Sequence, residues 1–166
     1  MADARTLYDD DFVAWTEQQA EALRSAARGS TNQPLDWENL AEEIESLGKS
    51  DRRELHSQIY RIIRHLAKLQ FSSADDPRRG WRESVVDARM QTELVLADSP
   101  SLRRELERIV ATQTPKATKR ATFDLGEFGE VDPATMRALQ SSGYTVDQVL
   151  GDWFPADPRP PSGSGG

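Results

Sequence analysis

Between Leu55 and Leu69 the apolar residues fall at Leu55, Ile59, Ile62, Ile63, Leu66 and Leu69. Steps of three and four trace one face of a 3.6-residue helix, whereas a half-buried strand would alternate every second residue. A chain with such a stripe has to bury it, and helix against helix is the natural solution.

The same period recurs on both sides. From Asp9 to Arg28, Phe12, Trp15, Ala22, Leu23 and Ala26 share a face, interrupted by Gln19. Asp9 to Asp11 supply a cap and favourable charge at the start, and Gly29 supplies a stop. "GSTNQP" reads as a loop. Asp36 opens a second helix with Trp37, Leu40, Ala41, Ile44 and Leu47 in phase, and Gly48 ends or bends it. Asp51 and Glu54 have capping-box spacing before the Leu55–Leu69 helix. The alternative is one long helix through Gly48.

After the loop "SSADDPRRG", Trp81, Val85, Ala88, Thr92 and Val95 mark a fourth helix. In "DSPSLRREL", Ser99 can cap and Pro100 suits a first turn. Leu102, Leu106, Ile109 and Val110 give the fifth helix its face, and Pro115 should kink or end it. "FDLGEFGEV" reads as a loop or a short extended piece. Asp132, Pro133 and Gly143 then bracket a short helix, and Thr145 and Gln148 have capping-box spacing for a last one. "DWFP" should dock an aromatic end on the bundle. The expected architecture is an all-α bundle of about five main helices with a helical C-terminal appendage, a single domain over residues 1–155. The tail "ADPRPPSGSGG", residues 156–166, is expected to be disordered.

The 166 residues suffice for a substantial core, and 37% hydrophobic with 30% charged suits a globular chain. No apolar run approaches a bilayer span, and "MADARTLYDDDF" has no secretory pattern, so a cytoplasmic protein is expected. Cysteine is absent, which removes disulfides and thiolate metal sites. The net charge of −7 argues against general nucleic-acid affinity. Its distribution is uneven. Residues 1–48 carry 3 basic and 11 acidic groups (−8), residues 49–122 carry 16 and 10 (+6), and residues 123–166 carry 2 and 7 (−5). The basic middle either lies beside acidic elements of its own chain or meets an acidic partner.

Candidate chemistry centres on the second and third helices. At about 100° per residue, Glu38, Glu42 and Glu45 form a line roughly 130° from the apolar stripe. An exposed acidic face explains such a line, and so does a hard metal or a cationic partner. His56 and His65 fall on opposite flanks of the third helix and cannot share one ion. His65 could complete a site with Glu42 or Glu45 if the two helices packed antiparallel, with a divalent metal as occupant. Arg61 lies one turn before His65, a pair suited to proton transfer and phosphate stabilisation in RNA cleavage. The HEPN ribonucleases use an Arg and a His on one helix at a slightly longer spacing. No Gly-rich phosphate loop, nucleophile elbow or HExxH is present. Trp37 and Trp81 are expected to anchor the core.

The segments "YDDDFVAWTEQQAEALR", "LDWENLAEEIESLGKSDRREL", "RHLAKLQF", "DSPSLRREL" and "YTVDQVLGDWFP" resemble a bacterial family, domain of unknown function family 29. The resemblance runs from about Tyr8 to Pro155, and "DWENLAEEIESLG" is its most specific block. The family usually has Trp where this chain has Leu69, and "GEFGEVDPATMRALQSSG" is longer than its usual counterpart. The resemblance implies a soluble α-helical bacterial protein with no established activity and no catalytic residues to carry over. The leading functional expectation is therefore a non-catalytic interaction module, with a protein partner or a second copy as its ligand. A Glu42/Glu45/His65 metal or enzyme site is the first alternative, and RNA processing through Arg61 and His65 the second. No cofactor is expected, and neither nucleic acid nor membrane is the expected partner.

Overall fold

The computed structural model describes residues 4–29, 33–127, 129 and 131–159. They form seven α-helices and one 3-10 turn: α1 (Ala4–Asp10), α2 (Phe12–Arg28), α3 (Trp37–Phe71), α4 (Arg78–Asp98), the 3-10 segment Pro100–Glu105, α5 (Leu106–Glu127), α6 (Pro133–Gln140) and α7 (Val146–Leu150). The protein is all-α, with no strand among the described residues. No described helix is long and apolar enough to cross a membrane. Parts of two segments read as loops, residues 30–32, 128 and 130, lie outside the described residues, as do residues 160–166 of the tail.

The chain divides into two compact units, Met1–Leu55 with Glu93–Arg104, and His56–Thr92 with Glu105–Gly166. Helices α3 and α4 each run from one unit into the other.

In the first unit Asp11 breaks α1 from α2. Its side chain accepts from Ala14 N at 2.9 Å as N-cap, and also from Ser101 N at 2.6 Å and Ser101 Oγ at 2.9 Å. Ser99, expected only as a helix cap, is buried. Its hydroxyl accepts from Val13 N at 3.2 Å and donates to Asp51 at 3.3 Å. The buried side of α2 is Val13, Thr16 and Ala20, one position off the expected stripe. Phe12 and Trp15 instead form a half-buried aromatic group with Tyr8, with ring centroids 4.9–5.9 Å apart. Thr16 tolerates burial because its hydroxyl donates to Val13 O at 2.7 Å.

Gly48 does not end the helix. It is buried mid-helix, where an added Cβ would collide with the Thr16 hydroxyl. The glycine serves close approach of α2 and α3, and the long-helix alternative is the correct one.

The second unit buries Ile59, Ile62, Ile63, Leu66 and Leu69 of α3 at 0–1% exposure, as the periodicity requires. Val85, Ala88 and Thr92 of α4 are buried with them. A cluster of Ala67, Ala121, Leu125 and Leu139 is packed by Phe71, Trp81, Val131 and Tyr144.

Helix α5 continues through Pro115 and on to Glu127, overturning an end at Pro115 and the loop expected after Ala121. Pro115 and Ala111 are both exposed, so water can serve the Ala111 carbonyl that proline leaves without an amide. On the inner side Thr114, Thr118 and Thr122 are buried, each hydroxyl donating to the carbonyl four residues back at 2.7–3.0 Å. The Asp132 cap and the Thr145–Gln148 capping box form as expected. The chain stays engaged beyond Pro155: Asp157 lies 3.6 Å from Arg78, and Arg159 pairs with Asp157 and Asp75.

Candidate functional site

The carboxylate line of α3 stays apart from the histidine it was matched with. Glu38, Glu42 and Glu43 are exposed. Glu45 accepts from Arg24 Nη2 at 2.6 Å and lies 3.6 Å from Lys49 Nζ. The Arg24 bond, and then Lys49, hold the Glu45 carboxyl below its usual range, so this residue ties α2 to α3. Because residues 37–71 are one helix, the antiparallel packing that would carry His65 back to Glu42 and Glu45 does not form. His65 follows Glu45 by about five and a half turns of the same rod. Among the described residues no three His, Cys, Asp or Glu side chains gather as a metal cage.

The histidines lie on different flanks, as their spacing requires. His56 Nδ1 is 2.9 Å from Gln113 Nε2, which donates to it. His65 Nδ1 is buried and has no hydrogen-bond partner. Burial, followed by the nearby Lys68, Arg64 and Arg61 charges, holds the His65 ring at a pKa of about 4. The ring is neutral at pH 7, but no group bonded to Nδ1 fixes its tautomer, as a catalytic base requires. Arg61 is exposed one turn away.

What the structure does assemble around these two residues is a concentration of positive charge. Residues 57–69 of α3 and 112–124 of α5 contain six Lys and Arg and a single carboxylate, Asp124. That carboxylate lies 2.7 Å from Arg64, 3.1 Å from Arg120 and 3.5 Å from Lys68. It is only 13% exposed, and Lys68, buried beside it, also sits 5.1 Å from the centroid of the Trp81 ring. One negative charge thus serves three cations, while Arg61, Lys116 and Lys119 stand exposed on the same two helices. Phe123, 56% exposed, lies under the Arg120 guanidinium at 5.1 Å.

Three arginine-centred contacts were not legible from spacing. Arg78, buried, donates to the Ser72 and Leu69 carbonyls at 3.0 Å each, capping the C-terminal end of α3. Arg89 donates to the carbonyls of Val149, Gln148 and Trp153 at 2.7–2.9 Å. Arg82 lies 4.0 Å from the Phe154 ring centroid. Apart from the Arg78 cap, these contacts join segments about 60 residues or more apart, so only "DWFP" gave a signal, as an aromatic group needing a surface.

Helices alone, with a core that includes residues of α3 and α5, define an all-helical protein. Within that class the chain belongs to the family described as domain of unknown function DUF29, whose model matches residues 7–154. Among solved structures it is similar to an alpha-helical protein of unknown function from Rhodospirillum rubrum, at 26% identity and a TM-score of 0.66, covering 89% of this chain and 98% of that one. No curated protein matches the chain.

Proposed function

We propose that the protein is a non-catalytic interaction module that associates with a second copy of itself by charge. The observation that carries this reading is the α3–α5 face, where six cations share one carboxylate already engaged with three of them. An acidic surface is the natural complement of such a face. The same chain supplies one: residues 1–48 carry −8, and Glu38, Glu42 and Glu43 stand exposed on the first half of α3. Exposed Leu40 and Leu47 there, and Phe123 on the basic face, would add apolar contact. Acidic face against basic face is a heterologous contact, which grows into rings or filaments rather than stopping at a two-fold dimer.

Sedimentation of the full chain tests it. Association should appear at low ionic strength and vanish near about 1 M salt, where the Debye length falls to about 3 Å. Reversing the charge at Arg61 and Lys116, or at Glu42 and Glu43, should leave a folded monomer at low salt. A strict monomer under all conditions overturns the reading. So does a monomer whose basic face instead retains single-stranded RNA in a salt-sensitive manner.

A further inference from the structure

In the second unit the first turns of α4 and the segment Phe154–Arg159 enclose an open cleft of about 640 Å³. Its charges are balanced, and most are already spent on one another. Arg78 lies 3.6 Å from Asp157, Arg159 pairs with Asp157 and Asp75, and Arg79 is 2.9 Å from Glu83. Two lining groups of opposite sign, Arg82 and Asp87, have no polar partner among the described residues.

Their placement is specific. Arg82 lies with its guanidinium 4.0 Å from the Phe154 centroid, and Arg89, fixed by three backbone carbonyls, contacts the same ring at 4.8 Å. A guanidinium laid on an aromatic face keeps its N–H edge available for a carboxylate. Asp87 is five residues on, about 140° around α4 and about 7.5 Å along it. Val86, one turn from Arg82 and 47% exposed, lies between the two in helical angle. The cleft therefore presents a cation, an apolar middle and an anion in that order.

We propose that this cleft binds an ω-amino carboxylate. The ligand's carboxylate meets Arg82, its ammonium meets Asp87, and its methylene spacer lies on Val86 and the edge of Phe154. A simple anion would be repelled by Asp87 and a simple amine by Arg82, so selectivity comes from satisfying both groups at once.

The test is an amide chemical-shift titration of the full chain with 6-aminohexanoate, hexanoate and hexylamine. The zwitterion should give saturable shifts confined to residues 79–87 and 153–157. It should bind at least about tenfold more tightly than either singly charged probe, the increment expected of one additional charge contact. Arg82→Gln should reduce its affinity to that of hexylamine, and Asp87→Asn to that of hexanoate. Both side chains are exposed, so the spectra of the variants should otherwise match the parent. Equal affinity for the three probes, shifts that do not saturate, or variants that bind as the parent does would overturn the proposal.

Discussion

Thr16 and Gly48 show how one missing methyl sets the approach of two helices. Alanine at position 48 would gain about 1 kcal/mol of helix propensity, yet its Cβ would meet the Thr16 hydroxyl. Overpacking of this kind costs about 1–3 kcal/mol, so Gly48→Ala should lower stability by roughly 1 kcal/mol in a denaturant titration. In a Thr16→Ala background the colliding oxygen is gone, and the same substitution should become neutral or stabilising. The reversal of sign is the diagnostic outcome. Arg78 is a second decisive residue. Its two bonds bring a buried charge to the Leu69 and Ser72 carbonyls at the end of α3. Arg78→Gln should cost about 2–3 kcal/mol, and Arg78→Lys should restore little of it, because a lysine cannot span both carbonyls with a planar fork.

At the level of elements, legibility followed the sharpness of each apolar stripe. The second half of α3 was legible residue by residue, because six large side chains recur in phase and all of them are buried. The first half carries a broader set, and only Ala41 and Gly48 reach full burial, leaving Leu40 and Leu47 exposed. Periodicity marked them apolar but could not say which edge of the stripe the neighbouring helix would take. Helix α5 departs from its local sequence signals for a different reason. Proline and a glycine-containing stretch are local stop signals, and the tertiary burial of Thr118, Ala121, Thr122 and Leu125 overrode them. The same signals conceal the basic site, since Asp124 sits in the segment whose sequence reads as a loop. Pro115→Ala should let the backbone N–H at position 115 donate a hydrogen bond to the Ala111 carbonyl and raise the melting temperature, by an amount equivalent to about 1 kcal/mol or more after allowing for the looser unfolded chain. A lower melting temperature would mean that the proline ring makes packing contacts of its own.

Across the whole molecule, the titration of the two histidines sets part of the pH dependence of stability. Burial lowers both pKa values, that of His65 to about 4. The charges around His65 are Lys68, Arg64 and Arg61 on its own helix and Asp124 on α5, the last opposing the shift. Below the ordinary histidine value of about 6.5 the unfolded chain binds protons that the folded chain refuses, so stability falls as pH drops from there towards 4. His65→Leu should flatten that part of the profile, and an NMR titration of the parent should find the His65 ring neutral at pH 5. A ring titrating near 6.5 would show that it is solvated.

The three carbonyls gathered by Arg89 have one more consequence. A single side chain on α4 fastens the backbone of Gln148, Val149 and Trp153, and so ties down the middle of a closing stretch whose end is held only by the exposed pairs around Asp157 and Arg159. Cutting that tie with Arg89→Ala should let the stretch peel away as a piece. Limited proteolysis would then trim the protein near residue 145 and leave a shortened remnant, where the parent chain resists the enzyme.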